Sequence, residues 1–271
     1  IYEIEDHSFE LADLDFSVDD LIDFMSKNPS TQNPNSAFYV LAKSLLVLRY
    51  AIEYAIKPEI ESILGIDVHF PFISLGTINS RHFFGIDELL IYNFYRRNTH
   101  RYRKVCDLGT NIGIHSKILC ELGYDVHSYE PDVEHAKIAR NFLKNYKNNT
   151  FHNQAVSSYS GKARFTKIVN NSTGSYINEK KQGYGPTEIY EVDVIDASTL
   201  AGSFDLFKVD IEGSEVDVLS RFDRSDFSRT DFVAEISTEQ TRKEFWKLFY
   251  DLDVPVYAQK ISWERAESIE D

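Results

Sequence analysis

The sequence predicts an α/β protein: a mostly parallel sheet with helices on both faces, preceded by a mainly helical extension. Three observations predict it. From Lys104 onward, short β-rich runs alternate with helical stretches. The first run, "KVCDLG", enters a glycine-spaced turn and then a helical pattern, "TNIGIHSKILCELG". A later run, "DLFKVDIEG", delivers carboxylates at its carboxyl end, where doubly wound sheets place their sites.

Taken in order, residues 1–36 hold nine Asp or Glu against one basic residue, Lys27. Such a run reads first as a solvated face and second as a partner-binding arm. Ser17 before "VDDLIDFMSKN" supplies an N-cap, an acidic first turn and a basic last turn, so a short helix is expected. "NPSTQNPNS" (28–36) reads as a loop. The apolar stretch "AFYVLAKSLLVLRYAIEYAI" (37–56) carries Lys43, Arg49 and Glu53, which makes it an amphipathic helix packed in protein rather than a membrane span. That helix is expected to break at Pro58, with a second helix running through Leu64. "FPFISLGTINSRHFFG" (70–85) reads as strand or loop, and "IDELLIYNFYRRNT" as a helix.

Beyond Lys104 the expected strands are "KVCDLG", "DVHSYEP", "TFHNQAVSS", "KARFTKIV", "IYEVDVI", "DLFKVDIEG", "DFVAEIS" and "VPVYAQKIS". Helices are expected over "DVEHAKIARNFLKNY", "SEVDVLSRF" and "EQTRKEFWKLFYDL". The organisation is therefore an acidic, mainly helical region, 1–86, and a ligand-binding domain, 87–271.

The net charge of −14 repels phosphate backbones and anionic lipid, so nucleic acid is not an expected partner. Cys106 and Cys120 are the two cysteines of a 271-residue chain. Both read as small buried residues of a reducing compartment, hence a cytoplasmic setting. The residues after Ile1 carry no signal-peptide pattern.

The turn has the pattern D-x-G-x-N-x-G: Asp107, Gly109, Asn111 and Gly113, with Thr110 inside it. Glycines there let backbone approach a ligand, although a glycine pair also serves plain helix–strand packing. The next strand ends in Glu130, followed by Pro131, at the distance where a carboxylate meets ribose hydroxyls. The competing reading is an acid near the start of the helix at Asp132. Nicotinamide dinucleotides and methyl donors both fit this geometry. The missing glycines of G-x-G-x-x-G weaken the pyrophosphate reading. Asp107 suits a ligand with positive charge, which favours S-adenosyl-L-methionine.

Together, "VCDLGTNIGIHS", "VHSYEPD", "FHNQAVSSYSGKARF" and "DLFKVDIEGSEVDVL" resemble the FkbM-type family of S-adenosylmethionine-dependent methyltransferases, over residues 87–236. The resemblance implies a class I, Rossmann-like methyltransferase sheet whose last strand is antiparallel. It implies methyl transfer to a hydroxyl, often on a sugar or a polyketide-type product. By position it puts Asp107, Gly109, Thr110, Asn111 and Gly113 along the methionine end of the cofactor. Glu130 and Pro131 would serve the ribose, Ala155 and Val156 the adenine, and Asp210 the methyl group and acceptor.

A sugar hydroxyl is a poor nucleophile, so a general base helps. Asp210 is the first candidate, with Glu212 and Glu235 behind it; the three could otherwise hold a divalent metal. No metal is expected, because a lone D-x-E at a strand end is a loose signal. Glu215 reads either as part of this site or as a helix N-terminal acid, and His115 as packing. Ser172 to Ser175 and Tyr184, in the polar stretch 169–190, are candidate acceptor contacts. The expected acceptor is a small molecule or glycan, with self-association through the N-terminal region left open. An NAD-dependent oxidoreductase and a catalytically silent interaction protein are the rival readings.

Overall fold

A computed structural model describes residues 17–56, 59–75, 78–169, 171–177, 185–261 and 263–270. Helix α1 (Val18–Lys27) starts where its cap predicts, with Ser17 Oγ accepting from the Asp19 and Asp20 backbone at 3.1 and 3.3 Å. Helix α2 (Ala37–Ile56) comes next. The second helix expected through Leu64 is instead a hairpin of β1 (Glu59–Ile63) and β2 (Ile66–Pro71). The cause is local. Leu64 and Gly65 both take positive φ, 54° and 70°, as a tight hairpin turn requires. Ile66, Val68 and Phe70 are then buried in alternation with exposed Asp67 and His69. A short ladder of β3 (Ser74–Leu75) and β4 (Ile78–Asn79) leads to α3 (Ile86–Arg97).

The alternation then runs β5 (Lys104–Leu108), α4 (Ile114–Glu121), β6 (Asp125–Tyr129), α5 (Val133–Leu143) and β7 (Asn149–His152). Three strands come after these: β8 (Ala155–Ser157), β9 (Gly161–Ile168) and β10 (Thr187–Asp196). The chain continues with β11 (Leu206–Val209), α6 (Glu215–Leu219), α7 (Arg224–Phe227), β12 (Asp231–Ala234) and α8 (Glu239–Asp251).

The main sheet has the order β12-β11-β5-β6-β7, and every neighbouring pair is parallel. Strand order reverses between β5 and β11, so a crevice opens outside their carboxyl ends. A second sheet, β8-β10-β9, stands beside it, with β10 parallel to β8 and antiparallel to β9. Among the described residues, no antiparallel last strand joins the main sheet, contrary to expectation. "VPVYAQKIS" yields only β13 (Tyr257–Ala258), which pairs with β14 (Glu264–Arg265). A 3₁₀ turn at Gln259–Ile261 comes directly after β13 and closes this small hairpin before the chain can run along the sheet.

Side chains alternate across the main sheet and build two cores. Val105, Val126 and Leu206 pack with Leu89, Tyr92, Tyr95 and Ile118. Cys106, Leu108, Phe207 and Val209 pack with Val218, Leu219 and Phe249 on the other face. The first cluster also takes in Ile22, Met25, Leu46, Val68 and Phe70, so the described part of residues 1–86 shares a core with the sheet. Both cysteines are free and buried. Among the described residues no helix is long and apolar enough to cross a membrane.

Candidate active site

At the end of β5 the chain turns sharply. Gly109 and Thr110 donate their backbone N–H groups to the Tyr129 carbonyl of β6 at 3.1 and 3.0 Å. Gly109 has φ +76°, and a Cβ there would lie 1.8 Å from the Asp210 carbonyl oxygen. Only glycine lets the turn lie this close to the end of β11. Gly113, with φ +95°, ends the turn against α5, where a Cβ would sit 3.2 Å from the Ala139 Cα. Gly113 therefore serves helix packing, whereas Gly109 serves the approach of two strand ends.

Between them Asn111 takes φ +55°, the left-handed region that asparagine enters more readily than most residues with a side chain. Its backbone N–H donates to Glu130 Oε2 at 2.7 Å, and its buried Oδ1 has no hydrogen-bond partner among the described residues. Glu130 Oε1 accepts from the Asp132 backbone at 2.8 Å. Each Glu130 oxygen thus uses one of its two acceptor positions on backbone. Burial pushes the Glu130 carboxyl up to about 7, against the pull of those two hydrogen bonds.

Asp107 lies beneath the turn. It is fully buried, accepts from Ser116 Oγ at 2.5 Å, and does not line the cavity. Opposite it in register on β11 stands Lys208. The lysine Nζ donates to the Gly109 carbonyl at 2.9 Å and lies 3.4 Å from both Asp107 Oδ1 and Asp210 Oδ2. Burial works against its charge, but Asp107, Asp210 and Glu88 outweigh that and hold the ammonium above its ordinary value. A buried cation of this kind is tolerable only because it is paired and hydrogen-bonded.

After Asp210 the chain makes a second strained turn, with Glu212 at φ +59° and Gly213 at φ +102°. Glu215 holds this turn from inside. Its carboxylate accepts from the Ile211 backbone at 3.1 Å and from the Gly213 backbone at 2.9 and 3.0 Å. Glu215 is thus committed to its own loop. Glu235 lies just past β12 and donates its backbone N–H to the Val209 carbonyl at 3.0 Å. The Asp210 charge, burial, and the charges of Glu212 and Glu88 push its carboxyl up to about 8, although Lys208 opposes the rise.

These parts surround a cleft of ≈ 190 Å³. Of the residues expected at the site, it brings together Gly109, Asn111, Glu130, Pro131, Ala155, Val156, Asp210, Glu212 and Glu235. Asp107, Thr110 and Gly113 lie behind its wall. Ser172, Thr173 and Ser175 line it from the 169–190 stretch, and His135 Nε2 meets Ser172 Oγ at 2.8 Å. Tyr184 is outside the described residues. Among those residues no group of three or more His, Cys, Asp or Glu side chains is placed to hold a metal ion.

Two participants received no role from the sequence. Lys208 could have been found: a lysine inside the apolar run "DLFKVD" demands buried carboxylates. Glu88 reaches the cleft from α3, and its Oε2 lies 3.0 Å from His115 Nε2, while His115 Nδ1 meets the Tyr95 hydroxyl at 3.2 Å. Burial raises the Glu88 pKa, but His115 outweighs it and leaves the carboxylate below its ordinary value. His115, expected as packing, is thereby the residue that holds Glu88.

A doubly wound sheet, a glycine turn against the buried Glu130 carboxylate, and acids at the switch point make a site suited to a nucleotide-type cofactor. Residues 107–257, more than half the chain, match the methyltransferase FkbM domain, and the chain belongs to that family. Its cofactor is accordingly S-adenosylmethionine, and the oxidoreductase reading falls. Solved structures similar to it include an S-adenosylmethionine-dependent methyltransferase from Agrobacterium tumefaciens, 8% identical, covering 69% of this chain and 57% of that one, with TM-score 0.39. A precorrin-6y C5,15-methyltransferase from Geobacter metallireducens is 11% identical, covers 62% and 73%, and scores 0.34. The plantazolicin methyltransferase in complex with SAH is 10% identical, covers 93% and 87%, and scores 0.34. None of the curated proteins compared with the chain matches it.

Proposed function

We propose that this protein transfers a methyl group from S-adenosylmethionine to a hydroxyl of a sugar, glycan or small metabolite. The observation that carries the reading is the cleft in which Asp210, Glu212, Glu235 and Glu88 face the turn of Gly109, Asn111 and Glu130. The chain's own groups fit the donor. Gly109 lines the cleft with bare backbone, the Asn111 Oδ1 offers an acceptor without a partner among the described residues, and Glu130 keeps an acceptor position on each oxygen for ribose hydroxyls. Ala155 and Val156 form the wall for the adenine, and Pro131 lines the cleft beside Glu130.

When bound, the donor supplies a methyl carbon already activated by its sulfonium. The protein's task is to align the acceptor oxygen, exclude water and receive a proton. Asp210 is the base of this reading. Lys208 fixes its carboxylate from below, and its side chain is 34% exposed toward the cleft. Glu235, with its raised pKa, is the nearby group suited to take the proton onward or to hydrogen-bond the acceptor. Acidic walls disfavour a nucleic-acid acceptor, and the setting is the cytoplasm. A second copy of the chain, met through residues 1–86, is the expected protein partner.

The test is transfer of isotopically labelled methyl from S-adenosylmethionine to a panel of sugars, glycans and hydroxylated metabolites. Mass spectrometry locates the label. An O-methyl product supports the reading; label found only on nitrogen or carbon acceptors would remove the hydroxyl specificity while leaving the enzyme class intact.

A further inference from the structure

Helix α2 has two apolar faces. Tyr39, Ala42, Leu46 and Tyr50 are buried against the rest of the chain. On the opposite side Val40, Leu41, Val47 and Leu48 are 55%, 58%, 65% and 51% exposed. Ala37, Ser44 and Ala51 are exposed as well, and they complete a stripe at i, i+3, i+4, i+7, i+10, i+11 and i+14. That spacing keeps one seam along a helix. The stripe contains no charged residue, and Lys43 stands at its edge. Phe24 of α1, 46% exposed with its ring 5.2 Å from that of Phe38, adds apolar surface beside the N-terminal half.

The stripe is also palindromic about Ser44. Residues equidistant from it match in type: Leu41 with Val47, Val40 with Leu48, Ala37 with Ala51. An isologous two-fold contact requires such a self-complementary patch, because each residue i that meets j must find j meeting i. We propose that α2 is the interface of a homodimer, in which two copies pack antiparallel about a two-fold axis at Ser44. Val40 of one copy then faces Leu48 of the other, Leu41 faces Val47, and the small Ser44 side chains let the helices approach at the axis.

Area and the stripe's lack of charge support a second copy as the occupant. The four large side chains leave roughly 400 Å² of apolar surface, which is much for a monomer to keep in water. That is about half of the roughly 800 Å² per partner of a standard interface, so a modest, micromolar dimer is expected. With a net charge of −14, the chain is repelled by an anionic membrane. Two copies can desolvate this stripe without burying a charge. The inference sharpens the self-association proposed for residues 1–86 and is independent of the methyl-transfer chemistry. A monomer that binds the donor fully would sink this inference alone.

Sedimentation of the full chain at tens of micromolar tests it, with Leu41→Glu as the breaking variant. The expected result is a wild-type dimer and a Leu41→Glu monomer, with self-association weakened at least tenfold and S-adenosylmethionine affinity unchanged. Register is read by a short bismaleimide. Ser44→Cys should cross-link to itself, whereas Val40→Cys and Leu48→Cys should cross-link only when mixed; Cys106 and Cys120 are buried. A wild-type monomer, a dimer indifferent to Leu41→Glu, a dimer without the Ser44→Cys cross-link, or a monomer that cosediments with phosphatidylcholine vesicles would each overturn it.

Discussion

The two ends of the cleft are built on different physical terms. At the glycine turn, Gly109, Asn111 and Glu130 are fixed by backbone: carbonyl approach, N–H donation, and φ values that few residues adopt. At the Asp210 end, Glu88, Asp210, Glu212 and Glu235 arrive from three separate parts of the chain; His115 holds Glu88 low against its burial, and the charge of Asp210 leads in holding Glu235 high. Backbone geometry dominates the first end, where Glu130 is held by two backbone N–H groups, and side-chain charge the second. A fixed cofactor suits rigid backbone, while an acceptor that must lose a proton suits groups whose charge can shift. Lys208 touches both ends, through the Gly109 carbonyl and the Asp210 carboxylate.

That double contact makes Lys208 the place where the distinction breaks most severely. Lys208→Met leaves Asp107 buried without its cation and should cost about 3–5 kcal/mol in denaturant unfolding. Lys208→Arg should recover part of it. In any folded Lys208→Met protein, the Glu235 midpoint should rise, since Lys208 holds it down. Next in size, Asp210→Asn should lower labelled-methyl transfer by about 10²- to 10⁴-fold and leave donor affinity within a few-fold. A fully active variant would remove Asp210 from the mechanism. Gly109→Ala should disturb both ends, weakening donor binding about 100-fold by calorimetry and lowering methyl transfer with it, because its Cβ meets the Asp210 carbonyl.

The smallest effect is a slope. Glu235 holds its proton to about 8 when folded, against an ordinary 4.5. The folded chain therefore binds that proton more tightly, and the stability it contributes is complete below 4.5 and lost as pH rises through 8. Glu235→Gln cannot titrate, so thermal melts should show the variant gaining on wild type as pH climbs across that window. Glu130, raised to about 7, has the same sign and should leave the variant a shallower decline of its own.

The same contrast explains what could be read in advance. D-x-G-x-N-x-G and K-x-D-x-E-G-x-E are local patterns, because a turn with positive φ at Gly109, Asn111 and Gly113, or a loop pinned by Glu215, is built from neighbours in sequence. The parallel alternation was legible for the same reason. Glu88 was legible only as a helix residue: what brings it to Asp210 is the packing of α3 on α4 through Tyr95 and His115, a contact between residues 20 and 27 positions apart. The β1–β2 hairpin was missed because "EIESILG" has helical composition, and the Leu64–Gly65 turn overrode it. The separate β13–β14 hairpin depended on a 3₁₀ turn that the run "VPVYAQKIS" does not announce.

The central claim is that the turn between β5 and α4, with Glu130, holds a methyl donor. Calorimetric titration of the wild-type chain with S-adenosylmethionine, S-adenosylhomocysteine and NAD tests it most directly. The account predicts saturable binding of both sulfur ligands, none of NAD, and loss of the sulfur ligands in Gly109→Ala. Binding of NAD with neither sulfur ligand, or sulfur-ligand binding untouched by Gly109→Ala, would contradict it.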